Sequence, residues 1–172
     1  MELSSKTKEL AEGLRQALLA ERAGSEFYKV AAAQTKDPGG KKVFEELAEE
    51  ETRHFEYLSG HYKAVLATGA LAQGLTLSEA HQFGTNNPIF SSELKGRLKY
   101  AHFEMSALAI AAQLELNALT HYRRMAERAQ TPEARKLFED FVEWESAHYD
   151  AFVKQQQELQ EEYWNEAGFE PF

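Results

Sequence analysis

Three residues, Glu21, Glu51 and His54, recur in the same order and spacing as Glu115, Glu145 and His148, each 94 positions further on (115 − 21 = 94). In both copies the second Glu and the His form Glu-x-x-His, a separation that puts the two side chains on one face of a helix. The register extends beyond these residues: Tyr28, Pro38, Phe44 and Glu49 are matched at the same shift by Tyr122, Pro132, Phe138 and Glu143. Duplication of a helical hairpin accounts for the pattern and predicts a pseudo-twofold axis through the core. With the Glu and His content of this chain, filling all six positions at random has a probability of roughly one in two million before freedom of register is allowed for. Chance is a poor explanation.

Apolar residues recur with helical period through four segments, and nothing alternates with the period of two that a strand needs. The inward faces read Leu14, Leu18, Glu21, Ser25, Tyr28, Ala32; then Phe44, Leu47, Glu51, His54, Leu58, Val65; then Glu104, Leu108, Ala111, Glu115, Leu119, Tyr122; and finally Phe138, Phe141, Glu145, His148, Phe152, Leu159. Asp37 is placed to cap the second helix with Pro38 in its first turn. Ser91 or Ser92 suits the start of the third, and Thr131 with Pro132 that of the fourth. From about residue 69 to 92 the pattern lapses at Gly69, Gly74, Gly84, Asn86, Asn87 and Pro88, which reads as a crossover with one short helix near Leu77 to Phe83. The expectation is an all-α four-helix bundle, two antiparallel helix hairpins joined by a long crossover in the ferritin-like arrangement. At 172 residues it fits a single domain spanning 1–172.

The formal net charge of −9 argues against a nucleic-acid partner. Cysteine is absent, which excludes thiolate zinc sites, iron–sulfur clusters and a rubredoxin-type iron centre in this chain, so electrons for redox chemistry come from a separate donor. No apolar run reaches the length of a membrane span, and residues 1–8 lack the apolar core of a secretory signal. The expected location is the cytoplasm.

Each of the six repeated polar residues falls where its helix otherwise places Leu, Phe or Ala, so the amphipathic pattern puts carboxylates and imidazoles inside. Four buried carboxylates would lose solvation and repel one another; two divalent cations balance them to zero formal charge. Oxygen and nitrogen ligands without sulfur suit iron first, then manganese, with zinc or cobalt able to substitute. Glu51 and Glu145 are expected to bridge two ions, Glu21 and Glu115 to bind one each terminally, and His54 and His148 to complete the two sets. Open positions on both ions would admit peroxide or dioxygen. A metal-free buried hydrogen-bond network is the competing reading, and it must satisfy every charge.

Tyr28 and Tyr122 follow Glu21 and Glu115 by seven residues, two turns along the same face, where their phenols can donate to the ligand carboxylates. Glu104 shares the inward face of the third helix but lies about 16 Å from Glu115 along the axis, and a solvated helix end is expected there. The charge run from Glu45 to Glu51 reads as a solvated face in which only Glu51 follows the core spacing. His61, His81, His102 and His121 have no repeat partner and read as surface or packing residues. Tyr163, Trp164, Phe169 and Phe172, in the segment of about 163–172, either pack back on the bundle or form a subunit contact.

The stretches Ala20 to Tyr28, Leu47 to His54, Glu115 to Tyr122 and Glu143 to His148 resemble the rubrerythrin-like branch of the ferritin-like diiron proteins, and the resemblance runs from about Leu14 to Leu159. It implies dinuclear iron chemistry with peroxide or dioxygen, as an oxidoreductase active in oxidative stress, in a homodimer. Rubrerythrins proper add a rubredoxin domain, for which this chain has no cysteine. They also carry a further Glu one turn after the terminal Glu of the third helix, associated with a metal that shifts ligands between redox states; here Ala118 stands in that place. The site is thereby more symmetrical, as in ferroxidase centres. Iron storage, with the same site loading metal for deposition, is the alternative, followed by a metal-free helical interaction module.

Overall fold

A computed structural model describes residues 4–77, 88–95 and 101–167. Its elements are α1 (Ser5–Gln34), α2 (Pro38–Thr68), the single turn α3 (Ser92–Lys95), α4 (His102–Arg128) and α5 (Pro132–Ala167), with no strand among the described residues. The four long helices make a ferritin-like bundle: α1 pairs with α2, α4 with α5, and α1 also lies against α4.

Local chemistry sets the helix ends. The Ser4 side chain accepts from the Thr7 amide and opens α1. Asp37 caps α2 by accepting from the Gly40 amide at 2.8 Å, with Pro38 at the first helical position where no amide is needed. Gly69, at φ +82°, closes α2 in the left-handed conformation that costs other residues more. The Thr131 hydroxyl accepts from the Ala134 amide at the start of α5.

The start of the third long helix differs from the sequence expectation. Ser91 precedes and Ser92 opens the four-residue α3, and α4 begins at His102. Ser91 turns back to α2 instead: its hydroxyl donates to Asp37 Oδ1 and its amide to Oδ2 at 3.0 Å. On the other hairpin, the Gln155 side-chain oxygen accepts from the Ile89 amide at 2.7 Å and from Phe90. The returning end of the crossover is therefore fastened to both hairpins. Phe90 is buried against Phe44, and a Cβ on Gly40 would stand 2.3 Å from the Phe90 ring, so this glycine is needed for the close approach. Leu77, where a short helix to Phe83 is expected to start, is not helical, and the rest of that segment, with Gly84, Asn86 and Asn87, lies outside the described residues.

Two apolar clusters fill the bundle. One contains Tyr28, Phe44, Leu47, Leu108, Phe152 and Leu159; the other contains Leu14, Leu58, Val65, Tyr122, Phe138 and Phe141. No helix among the described residues is long and apolar enough to cross a membrane.

Candidate metal centre

On every long helix, a polar residue marks the place where one cluster gives way to the other. Glu21 lies between Ala17 and Tyr28, His54 between Ala48 and Leu58, Glu115 between Ala112 and Ala118, and Glu145 between Phe141 and Phe152, and each of these pairs spans the two clusters. The helical repeat that builds the core thus carries a polar layer through its middle. Glu21, Glu51, His54, Glu115, Glu145 and His148 are all 3% exposed or less.

The structure brings all six together. They form two overlapping groups, Glu21, Glu51, His54 and Glu145, and Glu51, Glu115, Glu145 and His148; within each group one ligand atom per residue lies within 4.8 Å of the others. Glu51 and Glu145 belong to both, and each group borrows one glutamate from the opposite hairpin. The two imidazoles point the same ring atom at the carboxylates. His54 Nδ1 is 3.2 Å from Glu21, 3.5 Å from Glu145 and 3.7 Å from Glu51. His148 Nδ1 is 3.5 Å from Glu145, 3.8 Å from Glu51 and 3.9 Å from Glu115.

Both tyrosines reach this layer, across the bundle. The Tyr28 hydroxyl donates to Glu115 and that of Tyr122 to Glu21, so each phenol serves the opposite hairpin. Stacking of Tyr28 on Phe44 and Phe152, and of Tyr122 on Phe138 and Phe141, holds the rings in place.

A family model described as rubrerythrin matches residues 12–156, which take in all six residues and both tyrosines. The chain belongs to the rubrerythrin family. No curated protein and no solved structure gives a significant match. The buried Glu and His groups of this rubrerythrin-family chain fit a metal site.

Electrostatics in the layer follow from burial and crowding. Desolvation, followed by the nearby charges of Glu21 and Glu145, raises the Glu51 carboxyl well above its ordinary range; desolvation and Glu145 do the same to Glu115. Burial alone would also raise Glu145, but the imidazoles of His148 and His54, each with Nδ1 3.5 Å away, overcome it and hold this carboxyl low. Desolvation alone would lower both imidazoles; the carboxylates around them win, and both are raised. The phenols of Tyr28 and Tyr122, raised by desolvation and by the adjacent glutamates, remain hydrogen-bond donors at neutral pH.

Glu50 is the residue that sequence reasoning passed over. It stands in the charge run assigned to solvent, yet it is 1% exposed. Its Oε1 is 4.0 Å from His54 Nε2 and its Oε2 3.6 Å from His148 Nε2. A signal was present: Glu50 precedes His54 by four residues, one helical turn on the same face. Its repeat partner is Trp144, which stacks on His54 at 5.5 Å between centroids.

Glu104 also departs from expectation. It is buried rather than solvated, accepting from the Thr35 hydroxyl at 2.9 Å and the Lys36 amide at 3.2 Å, and so satisfies the backbone where α1 ends. His61 is buried and His121 bonds the Gly13 carbonyl at 2.9 Å, both as packing residues, while His102 is exposed; His81 lies outside the described residues. Tyr163 and Trp164 lie near the end of α5 and are each 40% exposed. Phe169 and Phe172 lie outside the described residues.

Proposed function

We propose that this chain is a dinuclear-iron oxidoreductase that oxidises Fe(II), or reduces hydrogen peroxide or dioxygen, at a carboxylate-bridged site. The observation that carries the reading is the overlap of the two ligand groups at Glu51 and Glu145. Two carboxylates common to two four-residue sets are what a pair of bridged ions requires.

The donors fit the metal. Both oxygens of Glu145 and Glu51 Oε1 are buried without a hydrogen bond. Carboxylate oxygens left without donors in a dry interior are costly, and a cation removes the cost. Four glutamates offset the charge of two divalent ions, and oxygen with imidazole nitrogen suits iron, with manganese the second choice and zinc or cobalt able to substitute. In this reading Glu51 and Glu145 bridge, Glu21 and Glu115 are terminal ligands, and His54 and His148 bind through Nδ1, the atom each ring turns toward the carboxylates.

Bound iron would supply the electrons that dioxygen or peroxide takes up. The chain's own side chains position and insulate. Tyr28 and Tyr122 fix the orientation of Glu115 and Glu21 through their hydroxyl protons, and the aromatic residues above and below the layer exclude water. Re-reduction falls to a separate electron donor, because the chain has no cysteine for an iron–sulfur or rubredoxin-type relay.

Anaerobic titration with Fe(II), followed by separate pulses of peroxide and dioxygen, tests this function. About two ions per chain and oxidation faster than iron in buffer support it, and the faster oxidant names the substrate. Protein that takes up no Fe(II) sinks it. Oxidation accompanied by a closed shell of many subunits favours iron storage instead.

A further inference from the structure

Glu50 is a fifth carboxylate in a layer whose four ligand glutamates already balance two divalent ions. Its two oxygens make no hydrogen bond, and each faces the Nε2 of a different histidine, at 4.0 Å for His54 and 3.6 Å for His148. On the reading proposed above, both imidazoles give Nδ1 to metal. The one remaining ring proton then sits on Nε2, so both rings present an N–H to the same carboxylate. Each ring N–H then has one oxygen of the Glu50 carboxylate in front of it.

The repeat shows that this carboxylate is not a by-product of duplication. Ninety-four positions on (144 − 50 = 94) stands Trp144, whose ring stacks on His54 with 20° between planes. One Glu therefore serves both histidines, and the other hairpin contributes an aromatic wall at the equivalent place. A buried carboxylate so placed changes the charge of the centre as well as the orientation of its ligands. With four ligand glutamates alone, two divalent ions leave zero formal charge and two trivalent ions leave +2. Glu50 makes these −1 and +1. The oxidised pair's charge falls from +2 to +1 while the reduced pair's grows from zero to −1, so a low-dielectric interior disfavours the oxidised form less than it would without Glu50.

We propose that Glu50 is a positioning residue for both His54 and His148, and that its buried charge lowers the reduction potential of the metal pair. This depends on the dinuclear reading, and the experiment separates the two. Full-length wild type, Glu50→Gln, Glu50→Asp and the exposed control Glu49→Gln are loaded anaerobically with Fe(II). Iron per chain is measured, and the midpoint potential is followed by optical redox titration.

The expected result is full iron loading in all four proteins, with the ferric-to-ferrous ratio of Glu50→Gln at a fixed solution potential reduced at least tenfold, about 59 mV for a one-electron couple. Glu50→Asp, which keeps the charge, and Glu49→Gln, which removes a solvated one, titrate like wild type. If Glu50→Gln does not fold by circular dichroism, Glu50→Ser, neutral and smaller, carries the same expectation. A wild-type potential in the neutral variants, or an equal shift in Glu49→Gln, overturns the role of Glu50 while leaving the dinuclear reading intact. Failure of wild type to bind iron overturns both.

Discussion

The Tyr28 hydroxyl donates to Glu115 on the opposite hairpin, not to Glu21 seven residues before it on the same helix. Seven residues span about 10.5 Å along a helix axis, beyond the reach of a phenol, whereas α4 packs directly on α1. Tyr122 and Glu21 mirror the arrangement. Each hairpin thus supplies the proton that orients a carboxylate of its partner. Tyr28→Phe is expected to weaken Mn(II) or Co(II) binding by about 10-fold to 100-fold, the usual cost of losing an outer hydrogen bond to a ligand. Tyr122→Phe should show a loss of similar size. Calorimetric titration of both variants measures it, and unchanged affinities would remove the phenols from any role in ligand orientation.

Glu51 in the metal-free protein is a buried carboxyl pushed upward by desolvation and by Glu21 and Glu145. Its removal should therefore stabilise the empty bundle while destroying the site. Metal-free Glu51→Gln is expected to gain about 1–2 kcal/mol near neutral pH, read as a raised midpoint in thermal or urea unfolding. The same variant should bind less than one ion per chain by metal analysis.

The dependence on pH has a definite sign. Glu51 and Glu115 are raised above the ordinary 4.5, and His54 and His148 above the ordinary 6.5. In each case the folded metal-free chain binds protons that the unfolded chain releases, so stability is fully present below the unfolded value and is lost as pH rises through the folded one. Glu145, held low, contributes in the opposite direction, but its change is complete below about pH 5. The melting temperature of metal-free protein should fall as the pH rises above about 5. Metal displaces those same protons, so metal affinity rises over that window and the loaded protein loses less stability. Differential scanning calorimetry across pH, with and without Mn(II), checks both trends.

Gly40→Ala tests the seating of the crossover. A Cβ there meets the Phe90 ring at 2.3 Å, and the ring is buried with little room to move. A loss of about 1–3 kcal/mol is expected from overpacking, measured by chemical denaturation. Iron loading should survive, because Phe90 stands apart from the ligand layer.

Much of this was legible because hydrophobic period and ligand spacing are both one-dimensional. The four long helices follow from steps of three and four along the chain, the capping by Asp37 and Thr131 from residue type beside a proline, and the grouping of Glu21, Glu51 and His54 with Glu115, Glu145 and His148 from the 94-residue repeat. Partners set by packing between helices were not legible. The spacing of the tyrosines points their phenols at the ligand carboxylates without saying which one, because sequence separation says nothing about which neighbour a ring faces. Glu50 was hidden by its charged neighbours, and Glu104 by its place near a helix end; in both cases burial is decided by the opposing hairpin. Ser91 was read as a local cap although its partner, Asp37, is 54 residues away.

Each ligand group borrows its fourth member from the other half of the chain, Glu145 for one and Glu51 for the other. A half-length ancestor carrying one hairpin would have captured metal only by finding a second copy, with occupancy that rose and fell with its own abundance. Tethering the halves makes that encounter intramolecular, at an effective concentration of about millimolar. Dilution then no longer empties the centre, and the two halves are free to diverge, as Glu50 and Trp144 have done.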